Sequence, residues 1–505
     1  MKILHCLLLI YPIILSAQPA KPVFVADSLD VYINRSLKDW NLPGCAVAII
    51  KDGHIVLTKG YGLRDVEKNL PVDEHSLFMI ASNSKAVTGL SLAKLEQEKK
   101  LSLDDKVQKW LPWFKLYDPN ASNLVTLKDV VTHRIGFETF QGDFCHWATS
   151  TTREEVIRRM AVIPPIYQFR DKWGYCNAGY VVAGEVIKKA SGLSWEDYIQ
   201  ENYFKPMGMT ETKALTRDFE QIPNHCTPYT IYLDKLTRLK IPQIDNLAPA
   251  ASICSSVTDW AKWLKMILDK GQWNGSQILP EAAINRTMTP VSIRGNFRPP
   301  FNTGHFSMYG IGWDIVEYCG RKMVSHTGGA DGFVTSVSLI PEERLGIIVF
   351  TNSDANAFYQ ALKWEITDAY LDKPYRNYSA VYLKNNENVA KKDREWYMAV
   401  KDSVAKGELT PIPIAKYAGV YQNTIYGEVV LKTEGKNLRM TMEHHPDQSA
   451  LLEYMGSDRF LCTYTNPTLG IKVFPFVLKK NKVQSFTLSC ADFVEFTNYQ
   501  FIKKH

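Results

Sequence analysis

The chain has 505 residues, 45% hydrophobic and 22% charged, with a formal net charge of +6. That length exceeds what one core usually spans, so two or more domains are expected, and the composition excludes a largely disordered chain. The charge is spread thinly and no Lys/Arg cluster with interleaved aromatics occurs, which argues against a nucleic-acid partner.

The N-terminus, MKILHCLLLIYPIILSAQPA, has one early lysine, an apolar run from Ile3 to Leu15, then small residues at Ser16 and Ala17. This is the layout of a signal peptide over residues 1–20, too short to span a bilayer comfortably. A secreted or periplasmic chain without stable membrane insertion is expected once it is removed. Cys6 lies inside the apolar run after Leu4-His5, unlike a lipoprotein acceptor. The other cysteines stand at 45, 145, 176, 226, 254, 319, 462 and 490, with no CxxC pair, so zinc clusters and dithiol redox motifs are not expected. Export permits disulfides, but neither their pairing nor the oligomeric state is legible.

Residues 29–40 carry a helical pattern. GCAVAIIKDGHIVLTKGYG then reads as two β-runs around a Lys-Asp-Gly turn, a hairpin signal. A helix-rich middle follows, with amphipathic REEVIRRMAVI and YVVAGEVIKKASG, the second stopping at Gly192. Strand patterns return in WDIVEY, FVTSVSLI and LGIIVFTN, and QALKWEITDAYL reads as a helix. The expected fold is α/β (α+β): N- and C-terminal strands joined in one antiparallel sheet, flanked by helices, with a helical subdomain, over 21–372. Residues 373–412 form a charged, helical linker ending in prolines. Short, evenly spaced strands over 413–505 suggest a small all-β barrel, lipocalin-like. Its aromatics (Tyr417, Tyr421, Tyr426, Phe460, Tyr464) suit a barrel core better than a ligand platform. Whether the barrel shapes a cleft, binds a partner or caps the first domain stays open.

Ser-x-x-Lys occurs three times, at Ser82/Lys85, Ser91/Lys94 and Ser403/Lys406. Residues i and i+3 share a helix face, and a lysine there can take a serine proton if burial makes it neutral. Ser403 lies in the charged linker and Ser91 in mid-helix. Ser82 follows apolar FMIA and opens a helix, where unpaired N–H groups and the positive dipole end could face an oxyanion. The bland alternative is that Ser82 or Ser84 is an N-cap. Tyr-x-Asn at Tyr175/Asn177 precedes a helix, but recurs at Tyr375, Tyr421 and Tyr464. His-Thr-Gly occurs once, in MVSHTGGADGF at His326; alone, His326 reads better as a satisfied strand-edge histidine.

In this order the three motifs resemble those of penicillin-binding proteins and class C β-lactamase-like serine hydrolases. LPGCAVAIIKDGHIVLTKGYG, VTLKDVVTHRIG, YFKPMGMTETK and LGIIVFTN match as well, so the resemblance covers about 25–370. The tail resembles a barrel often appended to such enzymes. The resemblance implies that Ser82 is the acylated nucleophile, that Lys85 holds and takes its proton, and that Tyr175 shuttles it to the leaving group. Asn177, His326 and Thr327 would bind substrate, and the N–H groups of Ser82 and Gly329 would form the oxyanion hole. No metal or cofactor is expected; Glu443-His444-His445 reads as a polar turn. Two departures matter. His326 stands where many penicillin-recognising members have a lysine, which weakens the carboxylate anchor, and Cys176 fills the middle of Tyr-x-Asn. The implied function is acyl-enzyme cleavage of an amide, peptide or ester in a small molecule or peptide. A carboxylesterase, a true β-lactamase and, last, a non-catalytic sensor are the alternatives.

Overall fold

A computed structural model describes residues 19–296, 301 and 304–504; residues 1–18 of the expected signal peptide lie outside the described residues. Helix α1 (Leu29–Asp39) leads into β1 (Gly44–Lys51), β2 (His54–Asp65) and short β3 (Leu70–Pro71). The β1–β2 hairpin turns at Asp52 (φ 49°) and Gly53 (φ 79°), the two left-handed residues that a turn matching strand twist needs. Helices α2 (Ser84–Gln97), α3 (Asn177–Ser191) and α4 (Val257–Leu268) dominate the middle, and α3 stops at Gly192 with φ 81°. Six strands follow: β4 (Ser292–Asn296), β5 (Phe306–Tyr309), β6 (Asp314–Tyr318), β7 (Arg321–Ala330), β8 (Phe333–Ile340) and β9 (Leu345–Thr351), then helix α5 (Phe358–Tyr370).

The nine strands form one sheet in the order β4-β5-β6-β7-β8-β9-β1-β2-β3. The chain's early and late strands meet where β1 pairs antiparallel with β9, from Cys45 opposite Thr351 to Lys51 opposite Leu345. Unbroken apolar runs in β1 and β9 follow from burial on both faces. Ala46, Ala48 and Ile50 pack into the core that holds α2 and α4. Cys45, Val47 and Ile49, pointing the other way, pack into the core that holds α1 and α5. Strands β4 and β5 answer to no sequence pattern singled out above; they extend the sheet beside the site.

The linker is a single 28-residue helix, α6 (Tyr378–Ala405), with the Asn377 side chain capping its start. Its first turn is tied to the first domain: the Ser379 hydroxyl accepts from Ser36 (3.0 Å) and from the Trp40 indole (2.9 Å). Its last turns reach the barrel through Lys401 and Glu453 (3.0 Å). The barrel is closed, with strands β10 (Gly419–Asn423), β11 (Gly427–Glu434), β12 (Asn437–Met442), β13 (His445–Tyr454), β14 (Arg459–Tyr464), β15 (Ile471–Lys479), β16 (Lys482–Leu488) and β17 (Tyr499–Lys503). Its five named aromatics are all buried.

The Glu443-His444 turn between β12 and β13 is polar as read, but it is not a solvent turn. His445 is buried and stacks on Tyr426 (5.7 Å); its Nδ1 accepts from the Tyr426 hydroxyl (2.8 Å) and its Nε2 donates to the Trp147 carbonyl (3.2 Å). His444 contacts Arg159 (2.7 Å), and its carbonyl accepts from the Ser150 N–H (2.9 Å). The tail is thereby joined to the first domain near residues 142–150. All eight cysteines among the described residues are unpaired.

Candidate active site

Ser82 sits in a single 3-10 turn, Ala81–Asn83, immediately before α2. Ala81 is fully buried with φ 46°, a conformation that L side chains rarely adopt, and it gives the chain the sharp corner that exposes the next hydroxyl. Neighbours fix the corner. Asn83 donates to the Ile80 carbonyl (3.0 Å) and to Thr335 Oγ1 (2.9 Å). Strand β7 passes so close that a Cβ on Gly328 would lie 2.0 Å from the Ile80 oxygen, so only glycine fits there. Neither Ser82 nor Ser84 caps α2. Ser84 Oγ donates to the Ala81 carbonyl (2.7 Å) and accepts from the Ile253 N–H (3.1 Å), which locks the same turn.

Lys85 is fully buried beneath Ser82. Its Nζ has three polar neighbours: Ser82 Oγ at 3.1 Å, Asn177 Oδ1 at 2.6 Å and the Ala250 carbonyl at 3.0 Å. The last two can only accept. A neutral amine has two hydrogens, which these carbonyls take, and its lone pair is then left facing the serine hydroxyl. Burial pulls the Lys85 pKa down from its ordinary value to about 7, partly opposed by Asp143. The base form is therefore accessible near neutral pH.

Tyr175 stands beside this pair, its ring 4.6 Å from Lys85 Nζ. Burial pushes its pKa well above the ordinary value, and interaction with Ser82 opposes that only in part. Tyr175 thus keeps its proton and suits relay rather than resident base. His133 buttresses it: the rings lie 4.5 Å apart, and His133 Nδ1 accepts from the Cys176 N–H (3.0 Å). Burial holds the His133 pKa well below its ordinary value, as an acceptor nitrogen requires. This also accounts for Cys176. Its N–H is committed to His133, its side chain is 2% exposed, and burial raises the thiol to about 12, so a small inert residue fits.

Asn177 opens α3 and uses its amide internally: Oδ1 accepts from Lys85 and Nδ2 donates to Asp143 Oδ2 (2.6 Å). Burial, and then nearby Glu495, push Asp143 well above the usual carboxylate range. His326 also turns inward. Thr327 O can only accept, so the ring hydrogen sits on Nδ1 (2.6 Å) and Nε2 accepts from the Tyr309 hydroxyl (3.1 Å). Burial, with Lys85 adding to it, lowers the His326 pKa to about 3, so the ring is neutral and offers no cation.

Ser82, Tyr175, Asn177, His326, Thr327 and Gly329 line one cleft of about 330 Å³, with Lys85 under its floor. Sequence reasoning missed Asp143 and Tyr309, which lie in no motif, His133, which stands in the matching stretch VTLKDVVTHRIG without a role read for it, and the paired Arg294 and Asp314 (2.8 Å). It also missed Phe493 and Val494, which come from the barrel and complete the lining. The other two Ser-x-x-Lys pairs stay apart from the cleft. Ser91 donates back to the Val87 carbonyl (2.7 Å), and Ser403 to Ala399 on the surface of α6. Among the described residues, no group of three or more His, Cys, Asp or Glu is placed to hold a metal ion.

A family model described as Beta-lactamase matches residues 29–371. The chain is 25% identical over 480 residues to "Unguisins hydrolase ungD" of Aspergillus violaceofuscus, across 85% of this chain and 82% of that protein. It is 26% identical over 327 residues to "Protein flp" of Staphylococcus aureus, across 64% of this chain and 62% of that one. Among solved structures, the octameric penicillin-binding protein homologue from Pyrococcus abyssi aligns with a TM-score of 0.61 at 23% identity. That alignment covers 94% of this chain and 99% of that one, and it is a likeness of fold.

Proposed function

The chain belongs to the beta-lactamase family of serine hydrolases, and from that premise we propose that it cleaves a neutral ester or amide through an acyl-enzyme on Ser82. The observation that carries this is the hydrogen count at Lys85: two carbonyl acceptors, one lone pair, one serine hydroxyl. Ser82 Oγ attacks the substrate carbonyl as its proton passes to Lys85 Nζ. The N–H groups of Ser82 and Gly329 are assigned to the developing oxyanion. Collapse breaks the bond to the leaving group, which takes the proton by way of the Tyr175 hydroxyl. Water then attacks the acyl carbonyl by the reverse relay, releasing the acid and restoring Ser82.

The neutral His326 favours a substrate without a carboxylate at the position where penicillin-recognising relatives place a lysine. Arg294, the cation in the lining, is already paired with Asp314. An esterase or amidase is therefore preferred to a β-lactamase or a D-alanyl peptidase. Export remains part of the proposal, resting on the apolar run Ile3 to Leu15; the N-terminal sequence of the protein recovered from its own cells tests it.

The test of the chemistry uses p-nitrophenyl acetate, nitrocefin and a D-alanyl-D-alanine peptide on the full chain, with mass spectrometry after a fluorophosphonate. The ester is turned over fastest and the adduct maps to the peptide carrying Ser82. Nitrocefin as the best substrate removes the esterase preference, and absence of any Ser82 adduct removes the hydrolase.

A further inference from the structure

We infer that segment 490–497 of the barrel is the specificity wall of this cleft, and that the substrate carries a large apolar group beside the scissile carbonyl. The inference rests on the serine-hydrolase reading for what the cleft is; its evidence is separate. Phe493 packs against β7 so closely that a Cβ on Gly329 would lie 3.2 Å from its ring. Gly329 is the residue assigned to the oxyanion, so the ring stands beside the place where the carbonyl must sit. Val494 lines the same cleft, as do Phe140 and Trp147 from the first domain. Phe496 stacks on Phe140 (5.9 Å, 24° between planes), and Phe140 meets Tyr175 edge-on (5.5 Å, 80°). The aromatic surface is thus continuous from the barrel to the relay tyrosine.

Two features distinguish this from ordinary packing. Phe493 is 41% exposed and Phe496 49% exposed, so an apolar surface is kept open at the mouth of a cavity, where a ligand rather than the core covers it. The segment is also rigidly rooted. Glu495 between them is 1% exposed and accepts from the N–H of Gly142 (2.8 Å), the N–H of Phe144 (2.8 Å) and the hydroxyls of Tyr499 (2.8 Å) and Thr497. Asn466 of the barrel donates to Asp331 (2.9 Å), whose other oxygen accepts from the Trp147 indole (2.8 Å). Both walls are held before any ligand arrives, as selection by shape requires. The charged pair of the cleft lies elsewhere, with Arg294 stacked on Trp173 (4.9 Å).

Binding tests the wall without needing turnover. In the full-length Ser82→Ala chain, ethyl phenylacetate and ethyl acetate are titrated against the fluorescence of the cleft tryptophans. The aromatic ester binds about tenfold or more tightly, and adding Phe493→Ala narrows that gap about tenfold, as loss of an apolar contact does. Phe493→Leu recovers part of it, and Val477→Ala on the barrel's outside leaves the gap as it was. Equal binding of the two esters, a gap untouched by Phe493→Ala, or an equal loss in Val477→Ala overturns the inference. The fluorophosphonate adduct on Ser82 is scored separately. An adduct with unselective binding sinks the wall alone; selective binding without an adduct sinks the hydrolase alone.

Discussion

Two Ser-x-x-Lys pairs stand nine residues apart, one at the turn that opens α2 and one within it, and only the first is built for chemistry. Both serines are one helical turn from their lysines. Ser91 is fully buried and spends its hydroxyl on the Val87 carbonyl, while Lys94 forms an ion pair with Glu98. Ser82 sits on a strained corner, partly open to a cleft, and Lys85 is enclosed with two carbonyls and a hydroxyl. Spacing brings a serine to a lysine; what makes the lysine a base is burial, which outweighs the opposing field of Asp143. Lys363 sharpens the point. Burial also lowers its pKa to about 7, yet its Nζ lies over the Trp364 ring at 3.8 Å in the field of Asp314, and among the described residues no hydroxyl is hydrogen-bonded to it. A lowered pKa without a nucleophile in reach is a structural fact only.

The largest expected effect is at the nucleophile. Ser82→Ala should lower ester hydrolysis on the order of 10⁴-fold or more, measured as kcat/KM, with the fold intact by circular dichroism. Lys85→Arg comes next. A guanidinium keeps its charge at any pH used and has no lone pair, so about a 10³-fold loss is expected. The same logic sets the pH profile of the unsubstituted chain. Below the Lys85 pKa of about 7 the amine is protonated and cannot accept the serine proton, so kcat/KM rises with pH through that value and levels above it. A flat profile from pH 5 to 9 would mean that Lys85 is not the base. His326, lowered to about 3, adds no inflection there.

A smaller effect is expected from the barrel. Glu495→Gln leaves one carbonyl oxygen where two carboxylate oxygens served the Gly142 and Phe144 N–H groups, and sets an amide donor against a donor. The loop carrying Asp143, which orients Asn177 and through it Lys85, loses its clamp. A fall of about tenfold in kcat is expected from the misplacement, with a stability loss of about 2 kcal/mol from the broken charged hydrogen bonds, read by thermal unfolding. Loss of stability with unchanged kcat would confine Glu495 to a structural role.

The parts legible in the sequence are those whose signal is local. The β1–β2 hairpin announces itself by Asp52-Gly53, α3 by its periodicity and Gly192, and the linker helix by composition. The three motifs were found because their order is informative where each alone is not, and the structure brings Ser82, Tyr175 and His326 into one cleft. The internal use of Asn177 was not legible, because it depends on Asp143, which lies in no motif. Nor was the inward turn of His326, set by Tyr309 on a strand without alternation. Phe493 lies 164 residues from Gly329 (493 − 329) and Glu495 lies 353 from Gly142, and no pattern in the chain links them to the cleft.

The smallest effect is expected at Ser91 and Lys94, and it is informative because it is small. Ser91→Ala removes a hydroxyl bonded back to the helix that carries it, and places there the residue with the best helix propensity. The lost hydrogen bond and the gained propensity nearly cancel, so stability should move by less than about 1 kcal/mol. Hydrolysis should stay within about twofold, since Ser91 lies nine residues beyond Ser82 and is absent from the lining of the cleft. Lys94→Ala should behave alike, an ion pair near the surface contributing about 0–1 kcal/mol. If Ser91→Ala abolished turnover while the fluorophosphonate still labelled the peptide carrying Ser82, the division drawn between the two turns would be wrong. If both variants are silent, identical spacing on one helix has been shown to do nothing without burial and a corner.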